Sequence, residues 1–179
     1  MPRSAAAELL RVHALQSLDP GEAAMVADGR EFIAAHPDCL ERTCVAGHLT
    51  GSAWIVSADR RLTLLTHHRK LDRWLQLGGH ADGETDLLGV ARREAWEESG
   101  LDCLRPLSSA LFDFDRHWIP ARGGDPGHWH YDFRFLFTAD PAVPLAISSE
   151  SKELAWVPLA QVAALNPAES MARMVRKMV

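Results

Sequence analysis

Residues 78–101 read GGHADGETDLLGVARREAWEESGL. The second half of this stretch has the spacing of an amphipathic helix. Leu87, Leu88, Val90, Ala91 and Ala95 supply its apolar positions, and Gly100 stands where a left-handed residue ends a helix. An α-helix turns by about 100° per residue. Glu94, Glu97 and Glu98, spaced i, i+3, i+4, therefore converge on one face. Three carboxylates on one face repel each other unless a cation sits among them. Oxygen-only donors suit Mg2+ or Mn2+, and Mg2+ commonly combines a few carboxylates with substrate phosphates. Arg93 lies four residues before Glu97 and can hold one carboxylate in position. Most charge runs are simply solvated. This one follows a double glycine at a strand end and stops at a second glycine turn. Both features let backbone approach a metal or a phosphate.

Outward from the acidic helix the texture is that of a sheet. Residues 48–57 and 62–68 are strand-like and joined by a short polar turn, a hairpin pattern. Residues 74–77 form a short third strand running into Gly78 and Gly79. Residues 107–116 read as extended, and residues 117–127 as a loop rich in Gly and Pro. Residues 129–138 alternate strictly and 154–157 form a last short strand. Residues 158–165 and 168–178 are helical. At the other end, residues 5–17 have helical spacing. Asp19, Pro20 and Glu22 then predict a capped helix start, with Glu22 closing a capping box, and the helix stops before Pro37. The order is helices, a mixed sheet interrupted by one helix, then helices: an α+β or α/β/α layered domain. Residues 1–45 read as a helical extension for packing or homodimerisation, and residues 46–179 as the catalytic domain.

Composition sets the outer limits. The chain has 179 residues, enough for one domain with a small extension, and a net charge of −5. That balance argues against an extended nucleic-acid surface. The three cysteines, Cys39, Cys44 and Cys103, show no paired spacing and fit buried thiols in a reducing cytosol. No apolar run reaches the ~18 residues of a membrane span. A cytoplasmic protein is expected.

The stretch resembles the Nudix box of the Nudix hydrolases: Gly, five residues, Glu, seven residues, then Arg-Glu-U-x-Glu-Glu-x-Gly-U, with U a bulky aliphatic residue. From Gly79, the residues Arg93, Glu94, Glu97, Glu98, Gly100 and Leu101 fall in register. Two positions depart. Thr85 stands where the first glutamate belongs, with Glu84 and Asp86 beside it as substitutes, and Ala95 replaces a bulkier aliphatic residue. The resemblance implies an α/β/α sandwich with a mixed central sheet. It implies Mg2+- or Mn2+-dependent hydrolysis of a nucleoside diphosphate linked to another group. Glu97 and Glu98 would be metal ligands and Glu94 a ligand or the base. Arg93 would orient the glutamates, and the carbonyl of Gly79 or a neighbour would complete the metal shell. The alternative is a Nudix-like domain that binds a nucleotide without cleaving it, which the Thr85 departure keeps open.

Residues outside the motif are less decided. His80 follows the double glycine and is placed to reach a substrate phosphate. Arg69 and Arg116, with Lys70 and Arg73, lie in or beside loops where one or two phosphate contacts are expected. Trp118 and Trp129 flank the Gly/Pro loop as candidates for a substrate wall, whereas Trp74 is expected to be buried. His67, His68, His128 and His130 invite a zinc reading. Zinc needs three or four ligands with local spacing, and neither HExxH nor a Cys/His pair is present, so these read as ordinary histidines. Glu150 and Glu153 precede the last strand as acidic residues outside the motif.

Overall fold

The computed structural model describes residues 3–124 and 126–178. Its centre is a mixed sheet of eight strands: β1 (Gly47–Val56), β2 (Leu62–His68), β3 (Arg73–Leu75), β4 (Leu77–His80), β5 (Arg105–Pro106), β6 (Asp113–Ile119), β7 (His128–Thr138) and β8 (Ser151–Pro158). β1 runs parallel to β7 along its whole length, from Gly47 opposite Trp129 to Val56 opposite Thr138. On its other edge β1 pairs antiparallel with β4 near Thr50 and with β2 near Ile55. The expected third strand therefore divides at Gln76. Its first part, β3, stays on β2, and its second part, β4, crosses to β1.

Alternation along β1 and β7 assigns the two faces. Leu49, Ala53 and Ile55 join Tyr131, Phe133, Phe135 and Phe137 in one apolar cluster. Helices α1 (Ser4–His13), α2 (Pro20–Ala35) and α3 (Leu87–Ser99) contribute to the same cluster through residues such as Leu10, Ile33 and Val90. On the other face Trp54, Val56, Leu65 and Val157 pack with Val162 of α4 (Val162–Leu165) and with Met171 and Met174 of α5 (Glu169–Arg176). The result is the expected α/β/α sandwich with helices on both sides of a mixed sheet. Every residue of β1 is buried: α3 covers one face, and on the other Trp54 and Val56 pack in the second cluster while Thr50 and Ser52 donate to Asp132. Among the described residues no helix is long and apolar enough to cross a membrane.

Three local expectations change. α1 ends at His13, short of the expected residue 17. The extended segment after α3 forms a strand only from Asp113, and it continues to Ile119, into the expected loop. His117 and Ile119 pair with His130 and His128, so ladder hydrogen bonds extend the strand past the point where composition suggested a turn. Asp19 caps α2 as expected, accepting from the amides of Gly21 at 3.0 Å and Glu22 at 3.1 Å. Glu22, however, closes no capping box. Its carboxylate turns inward and accepts from the Phe114 amide at 3.0 Å and from Lys177 Nζ at 2.7 Å, with His13 Nε2 at 2.8 Å.

That carboxylate belongs to a buried charged network. Arg173 donates to Asp113 at 2.8 and 2.9 Å, and Arg134 reaches Asp132, Asp113 and Asp115 at 2.7, 3.1 and 3.2 Å. Buried charges persist when they are paired and hydrogen-bonded. The network ties the N-terminal helices and α5 to the edge strand β6.

Candidate active site

α3 lies across β1 and β4. Asp86 caps its start, accepting from the Gly89 amide at 3.1 Å, and Gly100, at φ 73°, ends it with its amide on the Trp96 carbonyl at 2.7 Å. Leu87, Val90, Ala91 and Ala95 are buried against the sheet. Ala95 is fully enclosed in the core cluster, so the small residue is accommodated by close packing. The same rotation carries Glu94 and Glu98 over β4. Glu94 occupies the space that a side chain on Gly79 would fill. Glu98 Oε2 accepts from the Gly78 amide at 2.9 Å. Glu97, one position round the helix, is half exposed.

Arg93 gathers the cluster. Its Nη1 donates to Glu94 Oε1 at 2.5 Å and lies 3.6 Å from Glu97 Oε1. Its Nε donates to Glu84 Oε1 at 3.1 Å, and its Nη2 reaches the His80 carbonyl at 3.4 Å. The two neighbours of Thr85 thus divide the work. Glu84 pairs with Arg93 and Asp86 caps the helix, while Thr85 itself is exposed.

Burial pushes the Glu98 carboxyl up to about 8. The Gly78 amide offsets this in part, and the charges of Glu94, Glu150 and Glu97 add to it. Burial also raises Glu94, against the pull of Arg93. At neutral pH the metal-free pocket therefore holds a proton on Glu98. A divalent cation fits this donor set. It would replace that proton and allow the carboxylates to be charged together, and its preferred ligands are oxygens. Glu94, Glu97, Glu98 and the Gly79 backbone are the groups that can hold it.

Glu150, from the loop before β8, also bears on this pocket, since its charge acts on Glu98 and on His68. Arg69 holds that loop. It donates to the carbonyls of Ser149 at 3.0 Å and Ser151 at 2.8 Å, and its own amide donates to the Glu150 carbonyl at 2.8 Å. Arg69 is thus engaged in supporting the loop. Glu153 lies in the β8 ladder opposite His67. Sequence spacing gave no way to choose between Glu150 and Glu153, because only the β2–β8 pairing brings this loop back to α3.

The remaining expected substrate residues cluster elsewhere. Arg116 pairs with Asp28 of α2 at 2.8 Å and stacks over Trp129 at 4.1 Å. Trp118 meets Trp129 edge-on at 5.2 Å and is half exposed. No hydrogen bond or ion pair among the described residues joins these three to the carboxylates. His80 points to the opposite side of β4 from Glu94. Its ring lies 4.9 Å from those of His48 and His130. Burial lowers the pKa of both His48 and His80 to about 4, and that of His130 further still.

The model of the family described as the NUDIX domain matches residues 48–178. Among solved structures, the fold is similar to a C. elegans Ap4A hydrolase in a binary complex, with TM-score 0.59, 18% identity, and coverage of 72% of this chain and 93% of that one. It is similar to RenU, a Nudix hydrolase from M. smegmatis, with TM-score 0.54, 20% identity, and coverage of 73% and 83%. It is also similar to the E. coli dihydroneopterin triphosphate pyrophosphohydrolase, with TM-score 0.57, 16% identity, and coverage of 72% and 92%. No curated protein matches the chain.

Proposed function

The chain belongs to the NUDIX domain family, hydrolases that act on phosphorus anhydrides, and on that premise we propose that it is a divalent-metal-dependent pyrophosphohydrolase cleaving the diphosphate linkage of a nucleoside diphosphate derivative. The observation that carries this reading is the pocket made by Gly78, Gly79, Glu94 and Glu98, with Arg93 bridging to Glu84 and Glu97. Mg2+ or Mn2+, when bound, would neutralise phosphate charge and make water more acidic. Glu97 and Glu98 are assigned as ligands. Glu94, held by Arg93, is assigned as a ligand or as the base that accepts the proton from the attacking water. Glu150 is the acidic residue outside the motif whose charge is felt at Glu98, and it is assigned as a candidate further ligand. Arg93 fixes the Glu94 carboxylate so that it need not reorganise during the reaction. The Thr85 departure leaves a binding-only domain as the alternative; the intact Arg93, Glu94, Glu97 and Glu98 set and the Glu84–Arg93 pair support the enzyme.

The proposed substrate class is a nucleoside diphosphate linked to another group. The similar hydrolases act on chemically different compounds at identities below a quarter. A cytoplasmic enzyme is our reading. A homodimer would form through the exposed Val12 of α1 and Leu15 just after it. The test is release of a nucleoside monophosphate or phosphate from a panel of nucleotide sugars, dinucleoside polyphosphates, nucleoside triphosphates and dinucleotide coenzymes. Hydrolysis of at least one, abolished by chelation and restored by Mg2+ or Mn2+, is expected. Tight nucleotide binding with no cleavage of any member would replace this reading with the binding-only one.

A further inference from the structure

Three strands bring histidines to one spot on the sheet face opposite α3. The parallel pairing sets His48 of β1 beside His130 of β7. His128, two residues away on β7, shares that face. The nitrogens of His48, His128 and His130 that could ligate a metal all lie within 4.8 Å of one another. The rings of His48 and His128 are 4.6 Å apart, those of His48 and His130 4.9 Å, and those of His128 and His130 5.1 Å. β4 adds His80, which pairs with Thr50 and so stands near His48 at the rim.

Two details point to a ligand. His48 is only 4% exposed, and among the described residues neither ring nitrogen has a hydrogen-bond partner of normal geometry, the Cys44 backbone being the nearest polar group to act on the ring. A buried imidazole without a well-formed hydrogen bond loses stability unless something binds it. His128 Nδ1 lies 2.9 Å from the Pro126 carbonyl, which can only accept. In the neutral ring the proton is therefore on Nδ1, leaving the Nε2 lone pair to accept from His130 or to ligate a cation. That Nε2 lies 3.2 Å from His130 Nε2. Two nitrogens each about 2.05 Å from a tetrahedral ion would be separated by about 3.3 Å. A carbonyl that fixes the tautomer of a ligating histidine is a usual outer partner of metal sites.

We propose that His48, His128 and His130 form a second cation site, for a divalent transition ion that prefers imidazole, with Zn2+ as its probe. Nitrogen-only donors suit zinc and disfavour Mg2+. The site is distinct from the carboxylate pocket, since Gly79 and Glu94 meet on the other side of β4. His80 is the nearest group to occupy the fourth position or to leave it open.

The test uses untagged full-length protein carrying Glu97→Gln and Glu98→Gln, so that the carboxylate pocket is disabled. After metal stripping, this protein should bind one equivalent of Zn2+ in equilibrium dialysis. With Co2+ it should show the visible absorption of a tetrahedral nitrogen-ligated ion, and Zn2+ should raise its Tm. Adding His128→Gln, at a partly exposed position, should weaken Zn2+ binding at least ~100-fold and abolish the Zn2+-dependent rise in Tm, while leaving the metal-free Tm unchanged. His130→Gln should behave likewise toward Zn2+. Zn2+ binding of equal strength with and without His128→Gln and His130→Gln would overturn the proposal. So would the absence of Zn2+ binding in the protein with the disabled pocket.

Discussion

The Glu94 carboxylate fills the space in which any side chain on Gly79 would have to lie. Helix α3 can approach β4 this closely because Gly79 presents bare backbone to it. Gly79→Ala would push Glu94 off its pairing with Arg93. Turnover is expected to fall about 100-fold, the scale of a misplaced reacting group, while the melting temperature changes little because the displaced carboxylate can move toward solvent. Steady-state kinetics beside a thermal melt check this, and unchanged turnover would remove Gly79 from the site.

Glu97→Gln and Glu98→Gln each keep the shape of the side chain and remove its charge. Both are expected to reduce turnover by at least ~100-fold without unfolding the protein. The comparison is made at saturating Mg2+, with circular dichroism as the control for folding. Near-wild-type hydrolysis in either variant would reassign the metal site.

Glu98 also makes a prediction about pH. Its carboxyl is raised from an ordinary 4.5 to about 8 by burial. Between those values the metal-free folded state holds a proton that the unfolded state has lost. Stability of the metal-free protein therefore falls as pH rises through this window. Glu98→Gln removes the penalty and should stabilise the metal-free protein at pH 8 by at least ~1 kcal/mol, about 2–4 °C in Tm. Little or no gain should remain at pH 4.5. A pH-independent difference between the two proteins would contradict the burial argument.

Glu84 and Thr85 can be separated directly. Glu84 is half exposed, so Glu84→Gln should cost less than ~1 kcal/mol of stability. It should nevertheless lower turnover several-fold by loosening Arg93, an effect of about 1 kcal/mol on the barrier. Thr85→Ala should leave turnover unchanged. If Thr85→Ala were the more damaging of the two, the partner of Arg93 would be misassigned.

The buried network far from the carboxylates governs stability. Burial pushes Asp113 and Asp115 up. Arg173, Arg134 and Lys177 outweigh it at Asp113, and Arg134, His117 and Arg173 at Asp115, so both carboxyls lie below their usual range. Their contribution is present above the ordinary carboxylate pKa of ~3.9 and is lost as pH falls toward the folded values. Arg173→Met should destabilise the protein by about 3–5 kcal/mol, since it leaves Asp113 underpaired. Urea titration at pH 7 reads the loss, and repeating it toward pH 3 should narrow the gap between variant and wild type.

Much of this molecule is legible in local periodicity. The helical spacing from Leu87 to Ser99, the Gly100 stop, the Asp19 cap and the alternation through β7 all survive folding, because each depends on neighbours within a turn or a strand. Glu22 shows where such reading fails. Its capping-box position is correct in sequence, but Lys177, His13 and the Phe114 amide compete for the carboxylate and bury it. Arg69 and Arg116 have partners that spacing along the chain does not reveal. Each resembles a free cation in sequence, yet one is held by loop carbonyls and the other by Asp28 and Trp129.

The acidic helix, its glycine boundaries and the convergence of its three carboxylates follow from spacing along one continuous segment. Tertiary structure alone decided the rest. It brought Glu98 to the Gly78 amide, Arg69 to the carbonyls of Ser149 and Ser151, and His48 beside His130. Those contacts are made by strand pairing and helix docking between segments far apart in the chain. Their geometry depends on sheet register, which no local pattern encodes.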